Sequence, residues 1–174
     1  VADHELNAST FTARVAASTG ASLYACVGAA LGTFTGPKHG GASDRVDALL
    51  YEAERFGSLQ RALIELSRRG ERLAAFGPPL YSHGDPRFEP IIEALPPERV
   101  SHTLAELEDA RVALALDFPN VDMGLALLAR CFGLRAGAGA TIFAIGRMAG
   151  WIAHALEQRE DDRILRPRAH YLGE

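Results

Sequence analysis

Apolar positions along the chain recur every three or four residues, and no run alternates convincingly with period two. The spacing predicts one helix over 8–19 and another over 22–35, hinged at Gly20. Both are lined with Ala, Gly and Ser, short side chains that let neighbouring backbones approach closely. Helices over 42–56 and 58–69 follow, with Ser43 as an N-cap and Gly70 as a stop. The stretch "LAAFGPPLYSHGDPR" reads as a loop from its Gly and Pro content. A short helix over 87–94 ends at Pro96-Pro97, and Ser101 or Thr103 opens the next, to about Leu116. Pro119 and Asn120 restart the chain into a helix to about Phe132, and Gly133, Gly137 and Gly139 mark a break. A last helix over 140–158 gives way to a solvated connection, "QREDDR", and an extended basic tail, "LRPRAHYLG". No internal repeat or low-complexity segment interrupts this order. The expected fold class is all-α.

Composition narrows the function. With 174 residues, 48% hydrophobic and 23% charged, the chain is long enough for one ordinary globular domain, or for one domain plus part of another. A net charge of −4 and a pI near 5.9, without a long Lys/Arg cluster, argue against a nucleic-acid partner. Apolar stretches are broken before the ~20 residues of a membrane span. No membrane partner is therefore expected, and the start "VADHELNAST" carries acids where a signal peptide needs bases, so no signal peptide is expected either. Cys26 and Cys131 sit in apolar helical patterns and are expected as reduced core residues of a cytoplasmic protein. No His, Cys and carboxylate cluster has metal-site spacing, so no metal is expected. The chain begins at Val1 in mid-motif and reads as a piece of something longer.

Four places pair a polar residue with unusual backbone punctuation. "ADHELNAS" puts His4 at the mouth of a helix that Asn7 or Ser9 can cap. "GPKHGG" frees a loop around His39, "FPNVDMG" sets Asp122 on the first turn of a helix, and "FAIGRMAGWIAH" places Arg147 among apolar residues. Each has an ordinary explanation alone: a local hydrogen bond, a charge favouring the helix dipole, an arginine with a structural carboxylate partner. Trp151 is expected in the core with its indole N–H bonded, His154 as a packing or hydrogen-bonding residue, and His102 and His170 as cap and tail residues.

Their order, however, resembles the citrate synthase family over essentially the whole chain. "ADHELNASTFTARVAAST", "GPKHGGASDRV", "DPRF", "PNVDMGLALLA", "IFAIGRMAGWIAHALEQ" and "LRPRAHY" follow with the family's order and spacing. The resemblance covers the C-terminal half of a full family member. It implies an acyltransferase that condenses an acyl-CoA, acetyl-CoA in the first instance, with oxaloacetate to give citrate and CoA. The thioester is a cosubstrate, and no tightly bound cofactor is implied. By resemblance Asp122 is the base that takes the methyl proton, and His39 donates a hydrogen bond to the enolate. His4, Arg87 and Arg147 match positions that grip oxaloacetate, and Arg166 matches the arginine that reaches into the neighbouring subunit's site. The backbone at Phe76 and Gly77 falls where the family recognises the adenine of CoA.

One position departs. The family carries a histidine directly after "FG", which polarises the oxaloacetate carbonyl and protonates the alkoxide; here that residue is Pro78. Losing a general acid or oxyanion donor costs about 10²–10⁴ in rate. His83 is the nearest substitute in the loop. A second reading is therefore a non-catalytic or weakly active homologue that binds a dicarboxylate. The resemblance divides the chain into a large-domain part at 1–40, a small domain at 41–133 and a large-domain return with tail at 134–174. It implies an active site in the cleft between the domains and a homodimer built on the Ala/Gly-rich helices.

Overall fold

The computed structural model describes every residue except 4, 78–80, 82, 83 and 174. The expectations for His4, Pro78 and His83 thus lie outside the described residues. Among those described there are eight helices and no strand: α1 (Ala8–Ser18), α2 (Leu23–Phe34), α3 (Gly41–Phe56), α4 (Leu59–Arg68), α5 (Phe88–Glu93), α6 (Pro97–Ala113), α7 (Val121–Cys131) and α8 (Ala138–Glu160). The protein is all-α. None of these helices is long and apolar enough to cross a membrane. Two compact units divide the chain, one of residues 1–39 with 144–174 and one of residues 40–143.

In the first unit α1 and α2 pack through small residues. Ala17 and Cys26 meet Ala155 of α8 in a cluster of small buried side chains, with Leu23 packed against it. Asn7 caps α1 by accepting the Thr10 N–H, and Ser22 caps α2 by accepting the Ala25 N–H. The α8 positions Arg147, Trp151, Ala155 and Gln158 repeat at helical spacing and are all buried. That stripe mixes charge, amide and aromatic, so hydrophobicity alone does not reveal it. Arg14 of α1 reaches α8 with Nε to Gln158 Oε1 at 3.0 Å and Nη1 beside His154 Nδ1 at 3.1 Å, and also bonds Glu157. His154 is thus a hydrogen-bonding residue. The expected solvated run "QREDDR" is corrected here. Its first three residues continue α8 to Glu160, because Gln158 is buried against Arg14 and Arg159 donates to the Ala21 carbonyl.

The second unit is built around α7, which is buried on nearly every side, as an apolar helix must be at the centre of a core. It packs against α3, α5 and α6. Gly124 lets Phe88 and Ile91 of the α5 helix approach to 3.4 Å of where a Cβ would stand. Leu49, Leu59, Leu63, Val100, Leu107 and Met123 fill the rest of the core. Two sequence expectations fail here for one reason. The sequence suggests Pro97 as a stop and Ser101 or Thr103 as the next start. In fact Pro97 opens α6, where its missing N–H costs nothing. His102 therefore lies exposed inside α6, 3.7 Å from Glu106, and caps nothing. Gly139, expected in the break, lies inside α8 against Leu125.

Candidate active site

His39 ends the short turn after α2, where its N–H donates to the Gly36 carbonyl at 2.9 Å. Phe34 sets its ring edge-on to His39 at 5.1 Å and to Trp151 at 6.1 Å between centroids, which fixes the imidazole plane. The His39 Nε2 lies 2.8 Å from Ser9 Oγ. The same oxygen accepts the Trp151 indole N–H at 3.1 Å and lies 2.9 Å from Asn7 Oδ1. Indole only donates, so one lone pair of Ser9 is committed. Its single proton goes either to Asn7 or to His39 Nε2, and the second choice puts the imidazole proton on Nδ1. Burial first, and then the Arg147 charge, lower the His39 pKa, so the ring is held neutral.

Arg147 is fully buried, one turn of α8 before Trp151. Its Nη2 donates to the Glu5 carbonyl at 2.7 Å and to Thr10 Oγ1 at 2.9 Å, and Asp3 lies 3.7 Å from Nη1. A buried guanidinium needs such partners. The carboxylate partner expected for this arginine is thus present as Asp3, an exposed residue, while the shorter of these contacts go to a hydroxyl and a carbonyl. Arg166 stays exposed in the tail, which is pinned one residue earlier by the Leu165 N–H to Ser18 Oγ at 3.0 Å. It is not drawn into the group of half-buried His39 and buried Arg147.

The second unit assembles the other predicted residues around the start of α7. Asn120 caps the helix, its Oδ1 accepting the N–H groups of Asp122 and Met123. Its own amide donates to the Ala74 carbonyl at 2.8 Å and its N–H to that of Ala75 at 3.1 Å. Gly77, at φ 75°, donates its N–H to the Phe118 carbonyl at 3.1 Å, and Phe76 bridges to Pro119. Phe76 and Gly77 are thereby tied to the segment that leads into Asp122. Asp85 binds Arg87 through Nε at 2.8 Å and Nη2 at 2.7 Å, and its Oδ2 accepts the Val121 N–H at 3.0 Å. Burial opposes the Asp85 charge, but the Arg87 side chain, the Arg87 and Val121 N–H groups and the Arg87 charge outweigh it, and its pKa falls.

Asp122 moves the other way. Burial raises its pKa, against the Ser43 hydrogen bond and the charges of Arg87 and Arg45; Asp85 adds to the rise. Two carboxylates on neighbouring turns thus differ in proton affinity, the arrangement general-base chemistry uses. Ser43, expected as the α3 cap, does not cap it. Gly40 occupies that position without a side-chain bond, and the buried Ser43 hydroxyl donates to Asp122 Oδ1 instead. Ser9, Thr10, Ser43 and Asp85 are the residues that sequence reasoning misses. Of these only Asp85 carries a visible signal, the Asp-x-Arg spacing of "DPR". Among the described residues no three His, Cys, Asp or Glu side chains gather as metal ligands.

The family model for the citrate synthase C-terminal domain matches residues 1–168. The chain is 36% identical to citrate synthase 2 of Bacillus subtilis over 181 residues, covering 99% of this chain and 48% of that one. It superposes on the crystal structure of citrate synthase from Thermotoga maritima with a TM-score of 0.81 at 32% identity, covering 99% of this chain and 50% of that one. A citrate synthase from Thermoplasma acidophilum in ternary complex with carboxymethyl coenzyme A and oxaloacetate gives 0.79 at 34%, with 99% and 49% covered. The chain belongs to the citrate synthase family. It spans about half the length of the curated relatives it matches.

Proposed function

We propose that this chain carries the catalytic half of a citrate synthase, an acyltransferase that condenses acetyl-CoA with oxaloacetate. The observation that carries the reading is Asp122: a half-buried carboxyl on a capped helix start, held at Oδ1 by the Ser43 hydroxyl, with its proton affinity raised above the usual range. Such a group can take a proton from the weakly acidic methyl of a thioester. As that C–H bond breaks, its electron pair moves onto the thioester oxygen. His39, held neutral, supplies a hydrogen bond there from Nδ1 if Ser9 gives its proton to Nε2. The enolate carbon then bonds to the oxaloacetate carbonyl carbon, the alkoxide takes up a proton, and water splits the citryl thioester into citrate and CoA. Arg147 and Arg87 suit the two carboxylates of oxaloacetate, because a guanidinium fork binds a carboxylate in bidentate fashion. His4 joins them, and Phe76 and Gly77 offer backbone to the adenine of CoA. The reading draws its base from the second unit, as the small domain, and its enolate donor from the first, as part of the large domain. It also assigns a cytoplasmic homodimer through α1 and α2, with Arg166 crossing to the partner copy.

Pro78 favours one other reading, a dicarboxylate-binding homologue with little or no chemistry, since proline offers no donor to the nascent alkoxide. CoA-thiol release from acetyl-CoA and oxaloacetate, measured for this chain and for Pro78→His, separates the two. Turnover by the unmodified chain supports the synthase. Turnover by Pro78→His alone supports the binding homologue, and a rise in Tm with oxaloacetate supports it further. No turnover in either and no rise in Tm rejects both for this chain.

A further inference from the structure

Serine in the first turn of a helix ordinarily turns its hydroxyl back to the exposed N–H groups of that turn. Ser43 does not. It is the third residue of α3, it is 2% exposed, and its hydroxyl crosses to a carboxylate 79 residues away. The helix end it leaves behind has Gly40 as cap, with no side-chain bond. Asp122 is meanwhile fixed at its backbone by Asn120, which accepts its N–H at 3.1 Å. The backbone of the acid and one of its two oxygens are therefore each held by a separate group.

We propose that Ser43 is a positioning residue for Asp122: its hydroxyl fixes Oδ1 and leaves Oδ2 as the oxygen that takes up a proton. The inference rests on the reading of Asp122 as the base. A carboxylate with both oxygens unconstrained can rotate about its last bond, and the lone pair needed for proton transfer is then misaligned for part of the time. One donor to Oδ1 removes that freedom without consuming the reactive oxygen. The donor also favours the charged form, as do Arg87 and Arg45, while burial and Asp85 oppose it. Without the hydroxyl the balance tips further towards the protonated acid, so the base would be available only at higher pH.

The test follows the side-chain carboxyl of Asp122 by carbon NMR through a pH titration, with Asp122→Asn to assign the resonance. In Ser43→Ala the midpoint moves to higher pH, and in Ser43→Thr, which keeps the hydroxyl, it stays with the unmodified chain. Alanine is smaller than serine and favoured in helices, so the fold survives the change. An unmoved midpoint in Ser43→Ala, or an equal move in Ser43→Thr, overturns the inference. Deuterium uptake by the methyl of acetyl-CoA in heavy water reads the base separately. Below the midpoint it falls roughly tenfold in Ser43→Ala and recovers as the pH is raised. Absence of uptake in the unmodified chain rejects Asp122 as a base, while the titration midpoints still decide what Ser43 does.

Discussion

Asp85 accepts the backbone N–H of Val121 at 3.0 Å, so the acid that grips Arg87 also holds the first turn of α7. One buried carboxylate thus couples a substrate-binding candidate to the helix that presents Asp122. Asp85→Asn should lower stability by roughly 3 kcal/mol near neutral pH, because it leaves the Arg87 guanidinium without its counter-charge. The sign with pH follows from the lowered pKa of Asp85. Its contribution is present above the unfolded carboxylate range and is lost as pH falls through the folded value. Urea midpoints of the two proteins should therefore converge on acidification. A gap that stays constant down to strongly acidic pH would show that the pair contributes through packing alone.

Ser9 joins Trp151 to His39. Ser9→Ala removes the acceptor of a buried indole N–H, an unsatisfied donor worth about 1–3 kcal/mol. It also removes the one described partner of His39 Nε2. Nitrogen NMR of the imidazole should show one dominant neutral tautomer in the unmodified chain and a mixture in Ser9→Ala. Deuterium uptake by acetyl-CoA should fall with it. An unchanged tautomer pattern would mean that Ser9 does not set the tautomer of the ring.

Asp122 should be a liability to the fold. Its pKa is raised, mainly by burial, so the folded chain binds the proton more tightly than the unfolded one. Stability from this group is therefore full at acid pH and declines as pH rises through the folded value. Asp122→Asn keeps an oxygen for the Ser43 hydroxyl and removes the charge. Its Tm should match that of the unmodified chain at low pH and exceed it near neutrality, while methyl deuterium uptake disappears. A lower Tm near neutrality would mean that Arg87 and Arg45 stabilise the charge more than burial penalises it.

These relationships mark where the sequence stops being legible. The cap and stop bonds of Asn7, Gly70 and Asn120 reach only a few residues along the chain, and that chemistry is readable from local order. Ser9 and Ser43 have the same local chemistry, but the Ser9 hydroxyl also accepts from a residue 142 positions away and the Ser43 hydroxyl donates to one 79 positions away. Cap preference cannot distinguish these uses, because the deciding partner belongs to another element. Gln158 is hidden for the same reason: a charged-looking run becomes helix once Arg14, 144 positions earlier, donates to its buried amide oxygen. The candidate residues His39, Asp122, Arg87 and Arg147 come from motif resemblance, and of the groups that tune them only Asp85, two residues before Arg87, leaves a mark in the sequence.

Gly146 and Gly150 lie one turn apart on α8, on the face where the first residues of the chain run. A Cβ at Gly146 would meet a methyl of Val1, the far end of a side chain, which can turn aside. A Cβ at Gly150 would collide with the carbonyl oxygen of Ala2, and backbone has no such freedom. Ala2 precedes Asp3, the carboxylate beside Arg147, and Glu5 gives Arg147 its carbonyl at 2.7 Å. Gly150→Ala should therefore lift this segment away and take the Glu5 carbonyl and Asp3 from the buried guanidinium, leaving it Thr10. The loss should exceed the helix-propensity gain of about 1 kcal/mol that alanine brings over glycine. Gly146→Ala should keep most of that gain. Tm values for the two variants should thus shift in opposite directions, and hydrogen exchange at Asp3 and Glu5 should quicken only in Gly150→Ala. Equal shifts would mean that the segment slides along α8 without Arg147 depending on where it rests.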